Sequence, residues 1–133
     1  MAIYKDSDQL YTCAEAFFNR LRESYPQAED AVTKAKTLIR IVCTDPDVEF
    51  LINGRRTPVE IVYGSNRTRP EVEVEMSSDT LHNILVGVLS LPKAAATRQM
   101  KVKGPVWKTF ALAELFERGQ DIYPDILREQ EVI

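Results

Sequence analysis

Residues 71–116 read EVEVEMSSDTLHNILVGVLSLPKAAATRQMKVKGPVWKTFALAELF, and this stretch decides the fold. Val72, Val74 and Met76 alternate with Glu71, Glu73 and Glu75, the period of a strand with one apolar and one wet face. Ser77 or Ser78 then caps a helix whose first turn carries Asp79, where the helix dipole favours an anion. Leu81, Ile84, Leu85, Val88 and Leu89 form its apolar stripe, and Val86 widens it, so this helix needs cover on more than one side. Pro92 starts a short helix through Ala96. Met100 and Val102 then alternate with Lys101 and Lys103 as a fifth strand. Laid beside the fourth strand, those lysines face Glu73 and Glu75, each pair contributing about 0.2–1 kcal/mol. Gly104-Pro105 opens a helix from Val106 to about Arg118, with Trp107, Phe110, Ala111, Leu112, Leu115 and Phe116 on a wide apolar arc. Gly119 is expected to end it as a left-handed cap.

Upstream, Leu10, Ala14, Phe17, Phe18, Leu21 and Tyr25 recur at helical spacing, with a start near Asp6 or Ser7 and a stop at Pro26. A second short helix is expected from Gln27 to about Thr37. From Leu38 the pattern turns to strands: LIRIVCT, a turn at Asp45-Pro46-Asp47, then Val48, Phe50 and Ile52 alternating up to an Asn53-Gly54 turn. Val59, Ile61 and Tyr63 mark the third strand, so the first four strands read as an antiparallel meander. Downstream, Asp121 to Glu131 forms a terminal helix with Ile122, Tyr123, Ile126 and Leu127 on one side. The whole is an α+β arrangement, a five-stranded, mainly antiparallel sheet covered by helices, in a single domain spanning 1–133.

The chain has 133 residues, 44% apolar and 28% charged, which suits one globular domain. A net charge of -3 argues against a general nucleic-acid binder. Arg55, Arg56, Arg67 and Arg69 cluster in turn-rich stretches, either as solvated loops or as a local attraction for anionic headgroups. No signal-peptide-like run opens the sequence, and none approaches the roughly 20 apolar residues of a membrane span, so a cytoplasmic location is expected. Cys13 and Cys43 are expected as free buried thiols.

Residues suited to bond-breaking chemistry are sparse. Five scattered glycines form no phosphate loop, and one histidine with two distant cysteines offers no metal spacing. His82, on the edge of the apolar arc, reads as a structural imidazole, with a pH-sensitive ligand contact as the other option. The glutamates of the fourth strand stay solvated and ordinary, whereas general acid–base work needs a desolvated carboxyl. No catalysis and no cofactor are expected. Three oily helices sharing one sheet face are either plain core or the walls of a ligand-sized apolar cavity.

The residues of 72–116, in order and spacing, resemble the sterol carrier protein type 2 superfamily. The likeness rests on Met76, Ser77 and Asp79 at the strand-to-helix junction, Gly87-x-Leu89 at the helix end, and Lys101-Val102-Lys103-Gly104. It covers about residues 36–117. Asp45-Pro46, Asp79-Thr80-Leu81-His82 and Gly104-Pro105-Val106-Trp107 look most like the stand-alone bacterial versions. The resemblance implies a hydrophobic tunnel between sheet and helices that holds a sterol, fatty acyl chain, acyl-CoA or phospholipid without altering it. The family often has Phe in the short helix before the last strand; here stand Ala94-Ala95-Ala96, which would widen the tunnel. The wall is then expected from Met76, Leu81, Ile84, Leu85, Val88, Met100, Phe110, Phe116, Ile122 and Ile126, with Trp107 and Tyr123 at the rim and the terminal helix as a gate. The expected partner is a lipid or acyl chain, with transient membrane contact. A homodimer, an interaction module and an accessory domain for a lipid-metabolising enzyme stay open beside it.

Overall fold

The structure, a computed structural model, describes residues 2–133. Helix α1 (Ser7–Ser24) begins where the Asp6 side chain accepts a 2.8 Å bond from Gln9 N, while Gln9 Oε1 reaches back to Lys5 N at 2.8 Å. One first-turn amide, Gln9 N, and the amide just before the cap, Lys5 N, are thereby satisfied by side chains. Leu10, Cys13, Ala14, Phe17, Phe18 and Leu21 form its buried face. Helix α2 covers Asp30–Ala35; it starts after the expected Gln27 and stops before Thr37, where Lys36 turns left-handed (φ 49°).

Strands β1 (Leu38–Thr44), β2 (Val48–Asn53) and β3 (Glu60–Tyr63) form the expected meander. Strand β4 (Val72–Ser77) does not continue it. The chain crosses back and β4 pairs in parallel with β1, Ile39 opposite Val72 and Cys43 opposite Met76. Strand β5 (Met100–Lys103) adds antiparallel to β4, giving the order β3-β2-β1-β4-β5. The inward rows of β1 (Ile39, Ile41, Cys43) and β4 (Val72, Val74, Met76) are wholly buried. No residue of β3 is. The two apolar strands therefore sit in the middle of the sheet, and short β3 is left at an edge, where partial exposure costs least. On the outer face, Arg40 holds the crossing segment through Asn66 and Thr68 and pairs with Glu49 at 2.9 Å.

Helix α3 (Ser78–Leu85) is capped by Ser77, whose Oγ accepts from Thr80 N at 3.0 Å; Ser78 instead donates to Pro46 O at 2.7 Å. The helix stops short of the expected Leu89. Gly87 is left-handed (φ +86°), Gly87 N bonds Ile84 O and Val88 N bonds Asn83 O, the paired closure of a Schellman turn. Helix α4 (Leu91–Ala96) is capped by Ser90. After β5, Val106–Thr109 forms a 3-10 turn, followed by α5 (Phe110–Arg118) and α6 (Tyr123–Glu129). The inward faces of α1, α3, α5 and α6 meet the inner face of the sheet in one core.

Gly119 corrects an expectation. Its φ is -95°, not left-handed, so conformational freedom is not what requires glycine here. A Cβ at this position would overlap the ring of buried Phe17. We expect Gly119→Ala to lower stability by about 1–3 kcal/mol through overpacking. Thermal melts check this, and restoration of the melting temperature by a second change, Phe17→Leu, would trace the loss to that contact.

Candidate functional site

The expected wall divides into two sets. Met76, Leu81, Ile84, Leu85, Met100, Phe116, Ile122 and Ile126 are buried together in the core. Val88 and Phe110 are not among them: Val88, placed beyond the end of α3 by the Gly87 turn, is 77% exposed, and Phe110 is 58% exposed. The rim pair separates too. Trp107 is 64% exposed, but Tyr123 is fully buried, its ring edge-on to Phe17 at 5.6 Å between centroids.

The buried set is densely packed. Between α3, α4 and α5 a cavity of about 60 Å³ is lined by Ile84, Leu89, Leu91, Ala113 and Phe116, with Glu117 and Gln120 at its polar side. Apolar ligand pockets run to roughly 300–1,000 Å³, so the seam is closed in this conformation. Ala94 is wholly buried rather than lining a widened space. Larger hollows of about 360 and 520 Å³ open on the surface, beside Tyr11 and Glu49 and beside Tyr4 and Asp79, but both carry polar and charged walls.

One polar cluster sits inside the apolar wall. Tyr4 Oη is hydrogen bonded to Tyr123 Oη and lies 3.3 Å from His82 Nδ1, joining the N-terminal segment, α3 and α6. Ile3 N donates to Asp79 Oδ1 at 2.9 Å and ties the same segment down. With neutral His82, Tyr123 can donate to Tyr4 and Tyr4 to Nδ1, leaving the ring proton on Nε2. Burial pushes both tyrosine hydroxyls far up, so they remain protonated. The two cysteines are free; burial raises Cys13 to about 11 and Cys43 to about 12, which keeps them as thiols rather than nucleophiles. Among the described residues no group of His, Cys, Asp and Glu is placed to hold a metal ion. Tyr4 was missed in the sequence because it precedes the first helix and belongs to no periodic pattern.

The carboxylates of Glu71, Glu73 and Glu75 lie on the outer face in ion pairs. A hydrogen bond from Lys108 and a second partner, Arg55, hold Glu71 below the usual range, and Lys103 does the same for Glu75. Lys103 also lies 3.6 Å from Glu73, so this one lysine spans both glutamates, while Lys101, opposite Glu75 in the register, makes no ion pair among the described residues.

A five-stranded sheet in this order, with helices closing an apolar interior on one face, defines the sterol-carrier type of α+β domain. The chain is similar to sterol carrier protein 2 from Yarrowia lipolytica (17% identity, 74% of this chain and 80% of that one, TM-score 0.58). It is also similar to the sterol carrier protein domain 2 of Helicoverpa armigera (15%, 80% and 87%, TM-score 0.61). A third similar structure is the ubiquinone synthesis protein UbiJ-SCP2 (13%, 89% and 98%, TM-score 0.61). The family model described as the SCP-2 sterol transfer family matches residues 18–117, and the chain belongs to that family. Among curated proteins no sequence matches it. No helix among the described residues is long and apolar enough to cross a membrane.

His82 makes this cluster sensitive to pH. Desolvation lowers its proton affinity in the folded protein, with the Asp79 carboxylate opposing in part. The unfolded chain, with an imidazole near about 6.5, therefore takes up the proton first as pH falls. This contribution to stability is complete above about 6.5 and declines as the pH drops toward the lowered folded value. We expect the melting temperature to fall more steeply between about pH 8 and pH 5 in the wild type than in His82→Gln. Parallel curves for the two proteins would refute the assignment.

Proposed function

We propose that this protein binds a lipid acyl chain, as a fatty acid, acyl-CoA, phospholipid or sterol-like molecule, and exchanges it with membranes without chemical change. The observation that carries this reading is the match to the SCP-2 sterol transfer family over residues 18–117, which supply the sheet and the α3–α5 part of the apolar interior. The proposed wall is Met76, Leu81, Ile84, Leu85, Met100 and Phe116, closed at the far side by Ile122, Tyr123 and Ile126 of α6 and the residues leading into it. Val88, Trp107 and Phe110 stand outside it.

In the closed state these side chains cover one another. Parting α5 from α3 and α4 would expose Ile84, Leu91 and Phe116 to water, at roughly 25 cal/mol per Å². An acyl chain lying in the opened seam covers them again, so an open state is favoured only when filled. Each methylene moved from water gains about 0.8 kcal/mol, and a bilayer offers about the same. Chain burial thus nearly cancels between carrier and membrane, and exchange can run in either direction. Discrimination falls to seam shape and to the polar groups beside it, Glu117, Gln120 and the Tyr4–His82–Tyr123 cluster.

The likeness to a ubiquinone synthesis protein supports a second reading, an accessory module that presents a lipid to an enzyme, as a monomer or homodimer. Both readings require an occupied interior, and in both we place the protein in the cytoplasm; the second adds a protein partner.

Native mass spectrometry of the purified protein should show co-purifying lipid, and a fluorescent fatty-acyl probe should bind and be displaced by it. Ala113, half-buried at the seam, is the position at which a large side chain fills the cavity with least damage to the core. We expect Ala113→Trp to weaken probe binding at least about tenfold while circular dichroism stays native. A folded variant with unchanged affinity would remove the seam as the site. A lipid-free protein that never binds the probe would remove the carrier reading altogether.

A further inference from the structure

The fold separates charge along the strands. The sheet end that holds Leu38, Asn53, Glu60, Val72 and Lys103 gathers Lys36, Arg55, Arg56, Arg69, Lys103 and Lys108, against Glu60, Glu71 and Glu73. Its backbone is tied across by Gly54 N to Thr37 O and Glu71 N to Leu38 O, both 2.8 Å, so these segments are true neighbours. Glu71 is bound by both Arg55 and Lys108, and Arg56 lies 3.7 Å from Glu60. Lys36 and Arg69 are exposed and take part in no ion pair among the described residues. The opposite end carries Asp6, Asp8, Asp45, Asp47 and Asp79 with Lys5 and Arg98. In a protein of net charge -3, the six basic and three acidic residues named at the first end thus set it apart from the aspartate-rich opposite end.

At the first end the 3-10 turn and the start of α5 hold three of the five large apolar side chains exposed among the described residues. Val106, Trp107 and Phe110 are 50%, 64% and 58% exposed, and Lys108 Nζ stands 5.5 Å from the Trp107 ring centre. From residue 80 to residue 113 the chain contains no Asp or Glu. One turn beyond Phe110, Ala113 lines both the surface hollow beside that ring and the cavity between α3, α4 and α5. Ala113 thus joins the exposed aromatics to the seam, along a path whose other side carries Glu114, Glu117 and Arg118. Glu114 and Glu117 follow Phe110 by one and two turns of α5 and share its hollow with Arg118.

We propose that Val106, Trp107 and Phe110, with the basic residues Lys36, Arg69 and Lys108 of the same end, are the surface by which this protein docks on an anionic lipid bilayer. The location of the docking surface rests on the carrier reading for its purpose, and on charge and exposure for its place. Trp and Phe rings are suited to the headgroup level, where an apolar body is covered while the indole N–H stays wet. Lysine stems lie along such a surface with their ammonium groups in the headgroups. Anionic lipid attracts the cationic end and repels the aspartate-rich end, so the charge separation orients the molecule with its seam toward the membrane. A second copy of this chain would set two cationic ends against each other.

Trp107 is the chain's single tryptophan, so its fluorescence reports this surface directly. Wild-type protein is expected to float with vesicles of phosphatidylcholine and phosphatidylserine, with a blue-shifted emission, and to bind pure phosphatidylcholine vesicles far more weakly. Each basic residue near the surface strengthens attachment roughly fivefold, so Lys36→Asn with Arg69→Gln should weaken it by more than about tenfold, as should raised salt. Trp107→Ser with Phe110→Ser, read by flotation, should lose at least about tenfold. Vesicle binding unchanged in either pair overturns the docking surface. So does a dimer in vesicle-free solution in which Trp107 is already shielded, which would assign the face to a second copy. Probe binding without vesicles is measured on the same samples: its loss in the wild type strikes the carrier reading, while normal probe binding with no flotation strikes only the docking surface.

Discussion

The parallel pairing of β4 on the free edge of β1 is the contact on which the rest of the architecture depends. It brings Ile39, Ile41 and Cys43 beside Val72, Val74 and Met76 and makes the middle of the inner face continuously apolar. It obliges the chain to cross the outer face, where Arg40 holds it, and it sends α3 back over the inner face directly from Ser77. It also leaves the outer edge of β4 open for β5, and thereby sets where the 3-10 turn and α5 emerge. Without that pairing the apolar helices would have no common floor.

A carrier built this way faces a conflict between stability and capacity. A preformed large tunnel would leave apolar side chains without neighbours, and cavities of that kind cost about 24 cal/mol per Å³. The closed seam avoids the cost by letting Ile84, Leu91 and Phe116 serve each other until a ligand replaces that contact. The Tyr4–His82–Tyr123 cluster adds a directional element to a core otherwise held by non-directional packing, because its hydrogen bonds join three segments far apart in the chain. Movement of α6 or of the N-terminal segment therefore cannot leave the other untouched.

The strand pattern and most helix starts were legible in the residues themselves. Alternation located four of the strands within a residue or so, Asp6 and Ser77 carried their signals in side-chain chemistry, and the pairing of Lys103 with Glu73 and Glu75 followed from the alternation of β4 and β5. Even the missed end of α3 was written locally, in a glycine two residues past Leu85. The identity of β4's neighbour was not. Alternation states which face of a strand is apolar and says nothing about which edge it joins, and that choice is settled by how much apolar surface each arrangement buries.

The same division holds for the candidate site. Oiliness of the helices, the scarcity of nucleophiles and metal ligands, and the family resemblance were properties of the chain, because they depend on residue type and short-range spacing. Only the tertiary structure decided that Val88 and Phe110 face outward while Tyr123 lies inside, since a helix's apolar arc does not record which part of it meets the sheet. It alone joined Tyr4 to His82, and it alone gathered cations from before β1, after β2, before β4 and after β5 at one end. Those residues are distant along the chain, and only the registers of four strands bring them together.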